Sequence, residues 1–174
     1  MSISAYSDDK YWTIKPSGFN FITKGSPECA LIRTAIKRYL KDRLFIEDCR
    51  KLTKGFPNNN NIDTSFPVDP VAFAHFNKSG SVGLLANLTV NYDGLCKETP
   101  VLGDSEQYSL TVDRNGARLV GSSVWGVLRG LETFNQLVHF VGPNQWALNF
   151  VQVDDFQRFS HRGTAKLYFK IRVF

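Results

Sequence analysis

At 174 residues and 19.7 kDa the chain is one domain by size, and a (β/α)₈ barrel, which takes ~250 residues, does not fit within it. Hydrophobic residues make up 43% of the sequence and include 14 Phe, which fills one core and excludes an intrinsically disordered chain. The net charge of +5 permits an anionic partner, but the excess sits in two clusters, Arg33 to Lys54 and Arg158 to Arg172, without a helix-turn-helix, RNP-like or zinc-finger pattern. The first cluster reads as a solvated helix face, and no nucleic-acid partner is expected.

The opening residues Met1 to Lys10 carry no basic n-region followed by an apolar h-region, and no apolar run approaches the ~18 residues of a membrane span. Neither a signal peptide nor a membrane span is expected in the chain as written. Tyr11 to Ile14 and Phe19 to Thr23, aromatic and β-branched, flank the turn residues Pro16-Ser17-Gly18 and read as a hairpin. A helix follows: Ser26 suits the cap, Pro27 the first helical position and Glu28 the positive helix end, and Ile32, Ala35, Ile36, Tyr39, Leu40 and Leu44 recur at helical spacing. Gly55 to Asp69, with its prolines and the run Asn58 to Asn61, is a long surface excursion rather than a domain linker.

Leu84, Ala86, Leu88, Val90 and Tyr92 alternate with Leu85, Asn87, Thr89 and Asn91 as in a strand with one buried face, and Tyr108, Leu110 and Val112 repeat the pattern. Asn115-Gly116 closes a type I′ hairpin onto Arg118-Leu119-Val120. A second helix starts at Ser122 or Ser123, turns Val124, Val127, Leu128, Leu131, Phe134 and Val138 inward, and stops at Gly142-Pro143. Trp146 to Val153 reads as a strand, and Lys166 to Phe174 alternates likewise. The order gives an α+β fold, a mainly antiparallel sheet with two helices packed on one face.

Few residues carry chemistry on their own. Cys29, Cys49 and Cys96 show no zinc-ligand spacing, and His75, His139 and His161 are scattered, so neither a metal nor a cofactor is expected. The adjacent pairs Asp8-Asp9 and Asp154-Asp155 do not make a glycosidase pair, because neighbours on an extended chain point to opposite faces. Ser122 and Ser123 lack a G-x-S-x-G elbow and read as helix caps; Gly126 and Gly130, one turn apart, read as close helix packing. Asn77-Lys-Ser and Asn87-Leu-Thr are glycosylation sequons.

Two stretches carry a resemblance. Ser123-Val-Trp-Gly-Val-Leu-Arg-Gly-Leu-Glu-Thr-Phe-Asn-Gln-Leu137 and Asp154-Asp-Phe-Gln-Arg-Phe-Ser-His-Arg-Gly163 resemble, in order and spacing, two consecutive signatures of eukaryotic β-N-acetylhexosaminidases of glycoside hydrolase family 20. The likeness covers residues 5–163. It implies the zincin-like N-terminal accessory domain that precedes and packs against the family's catalytic barrel. That barrel removes terminal N-acetylhexosamines by substrate-assisted chemistry with a Glu acid and an Asp that orients the acetamido group. By the same resemblance, Cys29 and Cys96 form a disulfide that leaves Cys49 over, and Arg162 corresponds to an arginine that hydrogen-bonds sugar hydroxyls at the barrel mouth. The family dimerises through the barrel and is lysosomal or secreted.

The sequence departs from the family after Gly163, where residues 164–174 do not resemble the first barrel strand, and at Ser160, where the family has proline. The expectation is therefore a non-catalytic accessory domain with a divergent C-terminal tail and without its barrel, with Arg162 part of an incomplete site. The alternative is a binding module for carbohydrate or for a barrel supplied in trans.

Overall fold

The computed structural model describes residues 2–5, 10–24, 29–46, 80–92 and 94–158. Within them the chain forms strands β1 (Ser2–Ala5), β2 (Tyr11–Ile14) and β3 (Asn20–Lys24), helix α1 (Ala30–Asp42), strands β4 (Ser81–Leu84), β5 (Asn87–Tyr92), β6 (Tyr108–Asp113) and β7 (Gly116–Gly121), helix α2 (Val124–Leu137), and strands β8 (His139–Gly142), β9 (Gln145–Asn149) and β10 (Val151–Asp155). The fold is α+β. Its strands divide between a six-stranded sheet ordered β1-β10-β6-β7-β5-β3 and a four-stranded sheet ordered β4-β2-β9-β8. Antiparallel pairings prevail, but β3 with β5, β5 with β7 and β2 with β4 are parallel.

This division corrects three readings. Tyr11–Ile14 and the strand after Gly18 are not a hairpin: β2 belongs to the small sheet and β3 edges the large one, with a 3₁₀ turn at Pro16–Gly18 between them. Turn residues bend a chain as readily as they reverse it, and here β2–β3 and β4–β5 run side by side in parallel and bend together. Leu85 N–H donates to Thr13 O at 2.8 Å and Asn20 N–H to Ala86 O at 2.9 Å, stitching the two bends. The alternation through Leu84–Tyr92 accordingly breaks at Leu85-Ala86, leaving Leu84 58% exposed and Leu85 buried. The strand read from Trp146 to Val153 likewise changes sheets at Phe150, whose N–H donates to Lys10 O at 3.2 Å.

Helix ends shift as well. The first helix begins at Ala30 with Cys29 at its N-cap; Ser26, Pro27 and Glu28 lie outside the described residues. The second ends at Leu137 rather than at Gly142-Pro143, because His139–Gly142 pairs antiparallel with β9 and the Phe140 ring lies 5.6 Å from that of Trp146. The β6–β7 hairpin stands, but its positive φ falls on Gly116 alone, with Asp113 opposite it and Asp113 Oδ1 accepting from Asn115 N–H. Leu88, Val90, Leu110, Val112 and Leu119 from the inner face of the large sheet pack with Val127, Leu131 and Phe134 of α2 in one core. Helix α1 lies against α2 and contributes Ile32, Ala35 and Tyr39.

Candidate functional site

The two signature stretches meet, through their first residues, on the segment between Lys97 and Gln107. The start of α2 brings Ser123, Trp125 and Arg129. Ser123 is an N-cap with extended backbone whose Oγ accepts from Gly126 N–H at 3.1 Å, satisfying one of the donors a helix start leaves open; the same hydroxyl donates to Ser105 O. Ser122 Oγ lies 2.9 Å from Ser105 Oγ and donates to Gln107 O at 3.3 Å. Gly126 lets the segment lie directly on the helix, since a Cβ there would stand 2.2 Å from Gln107 O.

Asp104 collects three donors: Lys97 Nζ at 2.5 Å, Val101 N–H at 2.9 Å and Trp125 Nε1–H at 3.1 Å. The Lys97 hydrogen bond first, then the Val101 N–H, hold its carboxyl below the usual aspartate range, against a smaller opposing effect of burial. Arg129 grips Glu106 with both ends of its fork, Nε to Oε2 at 3.1 Å and Nη2 to Oε1 at 3.2 Å, and this bidentate contact favours the charged guanidinium. Beyond β10, Gln157 closes the arrangement. Its Oε1 accepts from Glu106 N–H and its Nε2 donates to Asp104 O, both at 2.7 Å. A hollow of about 240 Å³ beside Trp125 is lined by Leu95, Lys97, Asp104, Ser105 and Ser122, with Leu95, Val101 and Leu102 exposed nearby.

Several expected residues are placed. Cys29 and Cys96 form a disulfide with Cα atoms 5.3 Å apart, tying the start of α1 to the residue just before that segment. Asn87 lies in β5, half-buried, on the outer face of the large sheet. Asp154 and Asp155 occupy β10, and Asp154 accepts from Gln152 Nε2 at 3.0 Å. His139 Nδ1 lies 2.8 Å from Leu137 O, and burial holds this imidazole's pKa below the ordinary value. Arg162, Asn77, Cys49, His75, His161 and Asp8-Asp9 lie outside the described residues. Among the described residues no group of three or more His, Cys, Asp or Glu could hold a metal ion, and no helix is long and apolar enough to cross a membrane.

The sequence reading missed Lys97, Asp104, Glu106 and Gln157. No periodicity marks them, and Gln157 meets Asp104 across 53 positions of sequence. In all these contacts polar groups satisfy one another. The arrangement is that of a scaffold which fixes where the chain leaves β10, on an α+β domain whose described residues include two helices packed together.

The comparisons agree with that class and narrow it. The chain belongs to the family described as beta-acetyl hexosaminidase like, whose model matches residues 2–137. It is 31% identical over 156 residues to beta-hexosaminidase subunit alpha of Bos taurus, covering 87% of this chain and 26% of that protein. To beta-hexosaminidase subunit beta of Mus musculus it is 33% identical over 137 residues, 79% of this chain and 22% of that one. The chain thus spans about a quarter of the length of these relatives. The fold is that of part of a chitobiase from Flavobacterium johnsoniae, with a TM-score of 0.57 at 24% identity over 93% of this chain and 20% of that one.

Proposed function

We propose that the chain acts as the non-catalytic accessory domain of a β-N-acetylhexosaminidase, a scaffold for a family 20 barrel in cis that removes terminal N-acetylhexosamines from glycoconjugates. The acid and the acetamido-orienting carboxylate belong to the barrel in that family, and so does the dimer contact. The observation that carries the reading is the double hydrogen bond of Gln157 to the backbone of Asp104 and Glu106. It anchors the outgoing chain five residues before Arg162, and on this reading Arg162 serves a sugar site only when a barrel completes it. A lysosomal or secreted location is part of the proposal and is supported by the Cys29–Cys96 disulfide, a bond that persists in oxidising compartments.

The test has two arms. The purified 174-residue chain is expected to show no turnover of a chromogenic N-acetylglucosaminide, and measurable hydrolysis overturns the non-catalytic reading. A chimera in which this chain replaces the matching region of the bovine alpha subunit is expected to be active and to lose yield on Gln157→Ala; an inactive chimera overturns the scaffold reading. A second reading, an interaction module acting in trans, is favoured by the exposure of Leu95 (80%), Val101 (60%) and Leu102 (77%) beside the Trp125 hollow. Titrations with N-acetylglucosamine and with a separately expressed barrel decide it, and silence in both removes it.

A further inference from the structure

The outer face of the large sheet bears on neither reading of the site and has a chemistry of its own. Registers align Asn20 with Asn87 on β3 and β5, and Leu88 with Ala117 on β5 and β7. Alternation turns Leu88, Val90 and Tyr92 into the core and leaves Asn87, Thr89 and Asn91 on the opposite face. Asn87 and Thr89 are the first and third residues of a sequon, so acceptor and hydroxyl emerge on one side of one strand. No other described residue holds the Asn87 amide by a hydrogen bond. Next to the Leu88–Ala117 pair, β7 begins with Gly116, which has no side chain. A hollow of about 310 Å³ opens there, lined by Thr89, Thr111, Asp113, Gly116 and Arg118 among others.

The start of a strand paired on both sides, as β5 is between β3 and β7, is an unusual place for a bulky modification, because side chains on neighbouring strands stand close on either side. Here one neighbour is the exposed Asn20 and the other direction leads to glycine. The Cys29–Cys96 disulfide is an independent pointer to the oxidising compartment in which sequons are modified. We propose that Asn87 carries an N-linked glycan whose first sugars lie over this hollow, with Thr89, Thr111, Asp113 and Arg118 offering hydroxyl, carboxylate and guanidinium partners to the sugar hydroxyls.

In the transfer, the Asn87 Nδ2–C1 bond forms as the glycosyl–phosphate bond of a lipid-linked oligosaccharide pyrophosphate donor breaks. The lipid pyrophosphate departs, and Nδ2 gives up one proton to the transferase. Because the sheet's other face is packed on α2, a glycan at Asn87 reserves the outer face for solvent and leaves the helix side for a protein partner. The inference rests on the exported location proposed above, and the experiment separates the two by directing the chain into the secretory pathway deliberately.

The test uses the full chain behind a cleavable leader in cultured eukaryotic cells, with Asn77→Gln removing the other sequon. Enzymatic release of N-glycans in ¹⁸O water, followed by peptide mass spectrometry of the secreted, disulfide-bonded fraction, is expected to find Asn87 converted to ¹⁸O-labelled Asp. Asn87→Gln is expected to remove the modification; Thr89→Ser is expected to retain it and Thr89→Val to abolish it, which covers the case in which Asn87→Gln is not secreted. An unmodified Asn87 in the folded fraction, or a glycan confined to misfolded material, overturns the proposal.

Discussion

A methyl group at Gly126 has nowhere to go. The nearest atom to such a Cβ, Gln107 O at 2.2 Å, is backbone and is fixed by its own hydrogen bonds from Ser122. Alanine favours a helix interior by about 1 kcal/mol over glycine, but overpacking of this kind costs about 1–3 kcal/mol, so the clash decides the sign. Gly126→Ala is expected to lower the denaturant midpoint, and by more than Gly130→Ala, whose 2.2 Å neighbour is the end of the Leu119 side chain. A midpoint at or above that of the parent chain contradicts the close-packing account. The helical spacing of the two glycines made this contact legible in the sequence, although not what lay on the other side.

Asp104 was not legible, because its partners are set by a loop path rather than by any repeat, yet it carries a pH dependence. Its folded pKa is depressed, so its contribution to stability is complete above the unfolded value of about 3.9 and is lost as pH falls through the lower folded value. Asp104→Asn is therefore expected to lower Tm at neutral pH, and the gap is expected to close on acidification well below about pH 4, where both side chains are neutral. A gap that is independent of pH shows that the charge is not what Lys97 and Trp125 hold.

At the scale of elements, the helices were readable and the division of the strands was not. Ile32, Ala35 and Tyr39 turn inward on α1, and Val124, Val127, Leu131 and Phe134 on α2, as their spacing requires. The period of two, by contrast, says which face a residue takes and not which sheet it joins. At Ala86 and Phe150 the chain changes sheets without a glycine or proline to mark it. The contact between the two helices gives the next prediction. Tyr39 Oη donates to Glu132 Oε2 at 2.6 Å. Burial first, then the Glu132 carboxylate, push the phenol from 10.0 to about 12. A raised folded pKa means that the stabilisation is present below the unfolded value of 10.0 and is lost as pH rises through about 12. Tyr39→Phe is expected to cost about 1 kcal/mol at neutral pH and to flatten the alkaline loss of stability in that window. An alkaline limb unchanged in the variant assigns the loss to another group.

At the scale of the molecule, two sheets raise the question of whether they fold as one body. A line of rings answers it. Phe21 and Phe19 flank Phe134 of α2 at 6.2 and 5.9 Å, Phe19 meets Phe45 at 5.6 Å, and Phe45 meets Trp146 of the small sheet at 5.1 Å. Trp12 of β2 adds a polar link, donating from Nε1 to Asp113 O at the end of β6 at 2.8 Å. Buried Ile14, Trp146 and Leu148 of the small sheet thereby share one core with Leu88, Leu110 and Leu119 of the large one. Contact of this kind makes local opening of either sheet expose the other, which is the physical condition for a single cooperative transition. In a Trp125→Phe background the remaining tryptophans, Trp12 and Trp146, report on the small sheet and its seam with the large one, while far-UV circular dichroism follows the helices on the large one. The two denaturation curves are expected to coincide. Phe19→Ala, which removes the ring at the junction, is expected to shift both together by about 3–5 kcal/mol. Curves that separate, or a Phe19→Ala shift confined to tryptophan emission, make the small sheet an independent unit and leave the exit of the chain after β10 supported by the large sheet and Gln157 alone.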